Sequence, residues 1–106
     1  MDEKIKAEFR SFLLKKRISK NISYNIISRV GTLERLLNVD TNLVIGDYEK
    51  SKDLIHKLTL QISKKKITKK SKNTMKGTLL SALRFYALFK MGKEAEKYLF
   101  HHFKKK

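Results

Sequence analysis

The stretch 71–92, SKNTMKGTLLSALRFYALFKMG, leaves this chain few ways to fold. It opens on polar residues suited to a helix start and closes on a glycine suited to a helix end, and it holds the densest apolar content in the chain. At about 100° per residue, Met75, Leu79, Ala82, Leu83, Tyr86 and Phe89 share one broad face, while Leu80, Phe85, Ala87 and Leu88 occupy much of the remainder. The polar positions are few: Lys76, Gly77, Thr78, Ser81, Arg84 and Lys90. A helix apolar over so much of its circumference must be covered on more than one side. The spacing therefore predicts a central helix with others packed around it.

Amphipathic segments that can cover it lie on both sides in sequence. Over 2–16, Ile5, Phe9, Phe12 and Leu13 recur at helical spacing, with Lys4, Glu8, Lys15 and Lys16 turned outward. Ser19 is a good N-cap for a second helix reaching about Leu37, with Ile22, Ile26, Val30, Leu33 and Leu37 as its apolar face and Leu36 at the edge. Its opposite side holds Tyr24, Asn25, Ser28, Thr32 and Arg35; Gly31, which costs about 1 kcal/mol relative to alanine in a helix interior, fits either close packing or a bend. Residues 38–47 read as a connector with Val39, Leu43 and Ile45 tucked inward. A further helix over 47–63 buries Tyr48, Leu54, Ile55, Leu58 and Ile62 and leaves His56, Lys57 and Gln61 outside. After Gly92 a short terminal helix places Ala95, Tyr98, Leu99 and Phe103 inside, and Lys104 to Lys106 form a frayed basic tail. The expected fold is all-α, a compact bundle of four to five helices forming one domain over 1–103 with a tail at 104–106.

Charge narrows the choice of partner. The chain carries 26 Lys+Arg against 10 Asp+Glu, a net charge of +16, and the segment 54–93 contains eleven cations and no anion. Such asymmetry implies a polyanion, with nucleic acid the first expectation and an anionic membrane surface the rival. The lysine run at 64–72, KKKITKKSK, abuts the start of the central helix, so charge and core meet at one place. Absence of cysteine excludes disulfides, thiolate metal sites and a cysteine nucleophile, and fits a reducing compartment. The N-terminal residues lack a signal-peptide core and the apolar run 79–89 is broken by Ser81 and Arg84, so a soluble, cytoplasmic chain without a membrane span is expected, at the nucleoid when bound to DNA. His56, His101 and His102 make no metal-ligand pattern, Glu94 and Glu96 no acid-base pair, and the four glycines no phosphate-cradling loop. No enzyme activity and no cofactor are expected.

Two helix openings echo each other: Ser19-Lys20-Asn21-Ile22 and Ser71-Lys72-Asn73-Thr74. Local capping explains both; a second reading makes each a phosphate grip built from free backbone NH groups, the positive dipole end and a lysine. Together with Phe9-Arg10-Ser11-Phe12-Leu13, Ser23-Tyr24, and Met75 leading to Leu80-Ser81-Ala82-Leu83-Arg84-Phe85-Tyr86, these residues resemble the N-terminal core-binding, SAM-like domain of tyrosine recombinases and phage integrases over about 5–91. The resemblance implies a small helical bundle that closes over one side of a DNA duplex for a catalytic domain. The arginines, histidine and tyrosine nucleophile of that catalytic domain are missing from these residues. Double-stranded DNA is the implied partner, with the catalytic domain or other protomers as further ones.

The resemblance carries DNA contact to Lys20, Asn21, Tyr24, Asn25 and Ser28 on the second helix and to Lys72, Asn73, Lys76 and Arg84 on the central one. The charge run adds Lys64, Lys65, Lys66, Lys69 and Lys70, heavier than the resemblance requires. Lysines give position and affinity; base reading falls to Asn25, Asn73, Arg35 or Arg84, whose amide and guanidinium groups make paired bonds to base edges. Tyr86, on the inward face, reads as a core residue. A protein-interaction or membrane-surface adaptor bundle remains the alternative from another class, and an RNA binder lacks the aromatic-glycine signature of an RRM.

Overall fold

Asp2, Ser19, Asp40, Asp47 and Thr68 each turn a side-chain oxygen onto an otherwise unpaired backbone NH in the turn that follows. The acceptor distances are 2.8 Å from Ile5 N to Asp2, 3.2 Å from Ile22 N to Ser19, 3.0 Å from Asn42 N to Asp40, and 3.1 Å from both Lys50 N to Asp47 and Ser71 N to Thr68. The computed structural model describes residues 1–95. These caps open its helices: α1 (Glu3–Lys15), α2 (Lys20–Leu37), the single turn α3 (Thr41–Val44), α4 (Tyr48–Ser63) and α5 (Lys69–Met91). At the far ends, Asn38 takes a left-handed conformation at φ 53° and Gly92 a positive φ of 76°, each returning its NH to a carbonyl of the helix it closes.

The all-α bundle is as the periodicities predict. α5 packs against α1, α2 and α4, so its two apolar sectors are both covered. Leu79, Leu80, Ala82, Leu83, Tyr86 and Ala87 of α5 are buried with Phe9 and Leu13 of α1, Ile26, Ile27, Val30 and Leu33 of α2, and Leu54, Leu58 and Ile62 of α4. Phe9 meets the Tyr86 ring edge-on at 5.1 Å between centroids, and Phe89 tilts against Phe9 and Phe12 at 5.3 and 5.4 Å. These aromatic contacts fix α1 across α5.

Three details differ from the sequence expectation. The central helix starts two residues earlier than 71, because Thr68 caps it and Lys69 and Lys70 are good helix formers; Ser71 is a first-turn residue. Ile22 is 54% exposed while Ser23 and Ile27 are buried, so the inner face of α2 is rotated from the predicted stripe. The connector contains α3, and Leu43 points outward at 75% exposure while Ile45 and Thr41 are buried. Thr41 is held by Glu34, which accepts its NH and hydroxyl at 2.9 Å each and also pairs with the Met1 ammonium at 2.8 Å. The terminal helix lies, from residue 96 onward, outside the described residues, as do His101, His102 and the tail.

Candidate nucleic-acid interface

The joint between α4 and α5 gathers the lysines of 64–76. Lys64, Lys66, Lys69, Lys70 and Lys76 are exposed, and Lys65 and Lys72 are half-buried. The described ion pairs are Met1–Glu34, Lys6–Glu3, Lys52–Glu49 and Lys57–Asp53, so no described carboxylate pairs with any lysine of this joint. Lys72 differs from its neighbours: its ammonium donates to the Ser63 carbonyl at 2.7 Å, at the end of α4. There it satisfies a terminal carbonyl and complements the negative end of the helix dipole. Its position four residues beyond the Thr68 cap removes it, with Asn73, from the helix opening that the sequence echo assigned to them.

α2 forms a ridge between two grooves. On one flank Arg29 and Thr32 share a cavity of about 480 Å³ with Lys70, Ser71, Thr74 and Thr78 of α5, floored by Met75 and Leu79. On the other flank Tyr24, Ser28 and Arg35 face Lys6 and Arg10 of α1 around about 290 Å³. The ridge itself carries Asn21, Tyr24, Asn25, Ser28 and Arg35, all exposed. Amides, hydroxyls and a guanidinium thus stand on a helix crest with cations to either side, an arrangement suited to base edges in the middle and phosphates at the flanks.

No family model, curated protein or solved structure matches the chain.

The predicted residues do not all fall on one patch. The groove between α2 and α5 brings Lys70 to α2, with exposed Lys69 and Asn73 on neighbouring positions of α5. Lys20, Tyr24, Ser28 and Arg35 line the α1 side instead. Arg84 sits half-buried, with its Nε enclosed and its guanidinium 5.9 Å from the Phe85 ring, and it lines neither groove. Sequence reasoning passed over Lys6, Arg10 and Arg29. Arg29 precedes Leu33 by one helical turn, and that flanking position was its available signal. Lys6 and Arg10 became groove residues only once α1 was docked beside α2, which no periodicity in either helix encodes.

Among the described residues no group of three His, Asp or Glu side chains has metal-binding placement, and His56 is exposed. No described helix is long and apolar enough to cross a membrane.

Proposed function

We propose that the chain is a duplex-DNA-binding domain. Following the resemblance, it holds DNA for the catalytic domain of a tyrosine recombinase or integrase and cleaves no strand itself. The observation that carries the reading is the joint between α4 and α5, whose lysines have no described carboxylate partner and continue through Lys70 into the groove beside the polar crest of α2. Leaving so many like charges together is unfavourable to the free protein, and a phosphate backbone relieves it with release of counterions.

In this reading Lys66, Lys69, Lys70 and Lys76 contact phosphates and set affinity. Asn21, Asn25 and Arg35 of the α2 crest meet base edges in the major groove, with Arg29 on the flank toward α5. The recombinase role rests on Ser71-x-x-Thr74 and on Leu80-Ser81-Ala82-Leu83-Arg84-Phe85-Tyr86 of α5, and a catalytic domain or further protomers would be its partners in the cytoplasm, at the nucleoid when bound.

The test is duplex binding by a Lys70→Glu, Lys76→Glu double variant at about 0.1 M salt, where charges beyond roughly 10 Å are largely screened. The double variant is expected to lose at least tenfold in affinity while keeping its helical circular dichroism, whereas Lys52→Glu on α4, a lysine already paired with Glu49 at 3.9 Å, changes it less than twofold. Equal losses from both would remove the proposed docking face.

A further inference from the structure

Tyr24 is 68% exposed on α2, and among the described residues no aromatic ring packs on it. With Arg10, it lines two cavities. One, of about 320 Å³, is lined by Arg10, Leu14, Lys20 and Tyr24; the other, of about 290 Å³, adds Lys6, Ser28 and Arg35. Leu14, across the first cavity, is itself 39% exposed. The carboxylate in the lining, Glu3, lies 3.6 Å from the Lys6 ammonium and is answered there.

An aromatic ring open to solvent that borders two cavities, each of which also carries cations, has the parts that unpaired nucleic acid requires. The ring offers a stacking surface that every base can use, and the cations track the backbone. A duplex keeps its base faces stacked on one another and makes no use of such a plane. We infer that the α1–α2 groove is a single-strand site, in which Tyr24 stacks on an unpaired DNA base while Arg10 and Lys20 hold the flanking phosphates. This rests on the DNA-binding reading and adds a second mode to it: unpaired DNA at Tyr24 beside α1, duplex at Asn21 and Asn25 of α2 and along the α5 side.

The test is fluorescence anisotropy with a labelled oligo-dT strand and, separately, a blunt duplex, for the wild type, Tyr24→Ala and Tyr24→Phe. Tyr24→Ala is expected to lower the ratio of single-strand to duplex affinity about tenfold, and Tyr24→Phe, which keeps the ring, to hold that ratio within about twofold of wild type. An unchanged ratio in Tyr24→Ala overturns the inference. Wild-type binding to duplex without binding to oligo-dT overturns it too and leaves the DNA-binding reading standing. Failure of the wild type to bind either probe overturns both.

Discussion

Tyr86 shows how far a single side chain is committed to the core. Its ring is fully buried against Phe9, and its hydroxyl makes no hydrogen bond of good geometry to a described group. Burial is the main reason its pKa is pushed up to about 12; Thr41 beside it works the other way, and the negative charges of Glu34, Asp40 and Asp2 add to the rise. A folded-state pKa above the unfolded value of 10.0 means that the fold favours the neutral phenol, so this contribution is complete below about pH 10 and is lost as pH rises from 10 toward 12. A spectrophotometric titration of tyrosinate is expected to show a component near that upper value that Tyr86→Phe removes, while Tyr86→Phe alters stability at pH 7 by no more than about 1 kcal/mol. Leu83, also fully buried, is a different case: Leu83→Ala empties core volume and is expected to cost about 2 to 5 kcal/mol in chemical denaturation. Both residues were legible as core from spacing alone, because they sit in the middle of the apolar arc of α5. Ile22 and Ser23 were not, since at the edge of an arc the neighbouring helices decide which residue is covered, and Ser23 settles inside by donating to the Ile18 carbonyl at 3.4 Å.

Helix ends are decided by which of several capable caps the chain uses. Thr68 and Ser71 are three residues apart in a lysine-rich run, and lysine is at home in either a loop or a helix, so composition leaves both open. The structure gives Thr68 the Ser71 NH, and the Thr68 hydroxyl also donates to Ser71 Oγ at 2.9 Å. Thr68→Ala is therefore expected to cost about 1 kcal/mol, and Ser71→Ala no more than about 0.5 kcal/mol, in thermal or denaturant unfolding. The two mid-helix glycines test the elements from the other direction. A Cβ at Gly77 meets nothing within 4 Å, and one at Gly31 meets only Arg35 Nη1 at an ordinary 3.5 Å, so neither position needs glycine for packing. Gly77→Ala is expected to stabilise the domain by about 0.5 to 1 kcal/mol through helix propensity. The same reasoning resolves Gly31, for which the sequence fits both a packing contact and a bend: α2 runs unbroken through it. Ser19 and Gly92 read correctly from the sequence because each is the one strong cap at its boundary, whereas the caps Asp2 and Asp47 are seen only in the structure.

At the scale of the whole molecule, the bundle measures 37 × 30 × 27 Å with a radius of gyration of 13.4 Å, close to the roughly 13 Å of a folded domain of about this length. Its longest dimension spans about one turn of duplex, roughly 34 Å, which limits contact to a handful of phosphates despite a net charge of +16. The basic character and the position of the lysine run were legible in the sequence. Which helix faces which cation was not, because Lys6, Arg10 and Arg29 acquire their neighbours only through docking of α1 and α5 on α2. Lys72 is the instructive exception, a predicted DNA contact whose ammonium is engaged by the end of α4, so Lys72→Glu is expected to lower stability as well as affinity. The central claim, that these lysines exchange small counterions for a phosphate backbone, is tested most directly by the affinity for a short duplex measured from 50 to 200 mM salt. With about five phosphates neutralised, log K is expected to fall against log salt with a slope of roughly −4 to −5, a loss of about two to three decades over that range. A slope near zero, or no measurable binding at 50 mM, would contradict it.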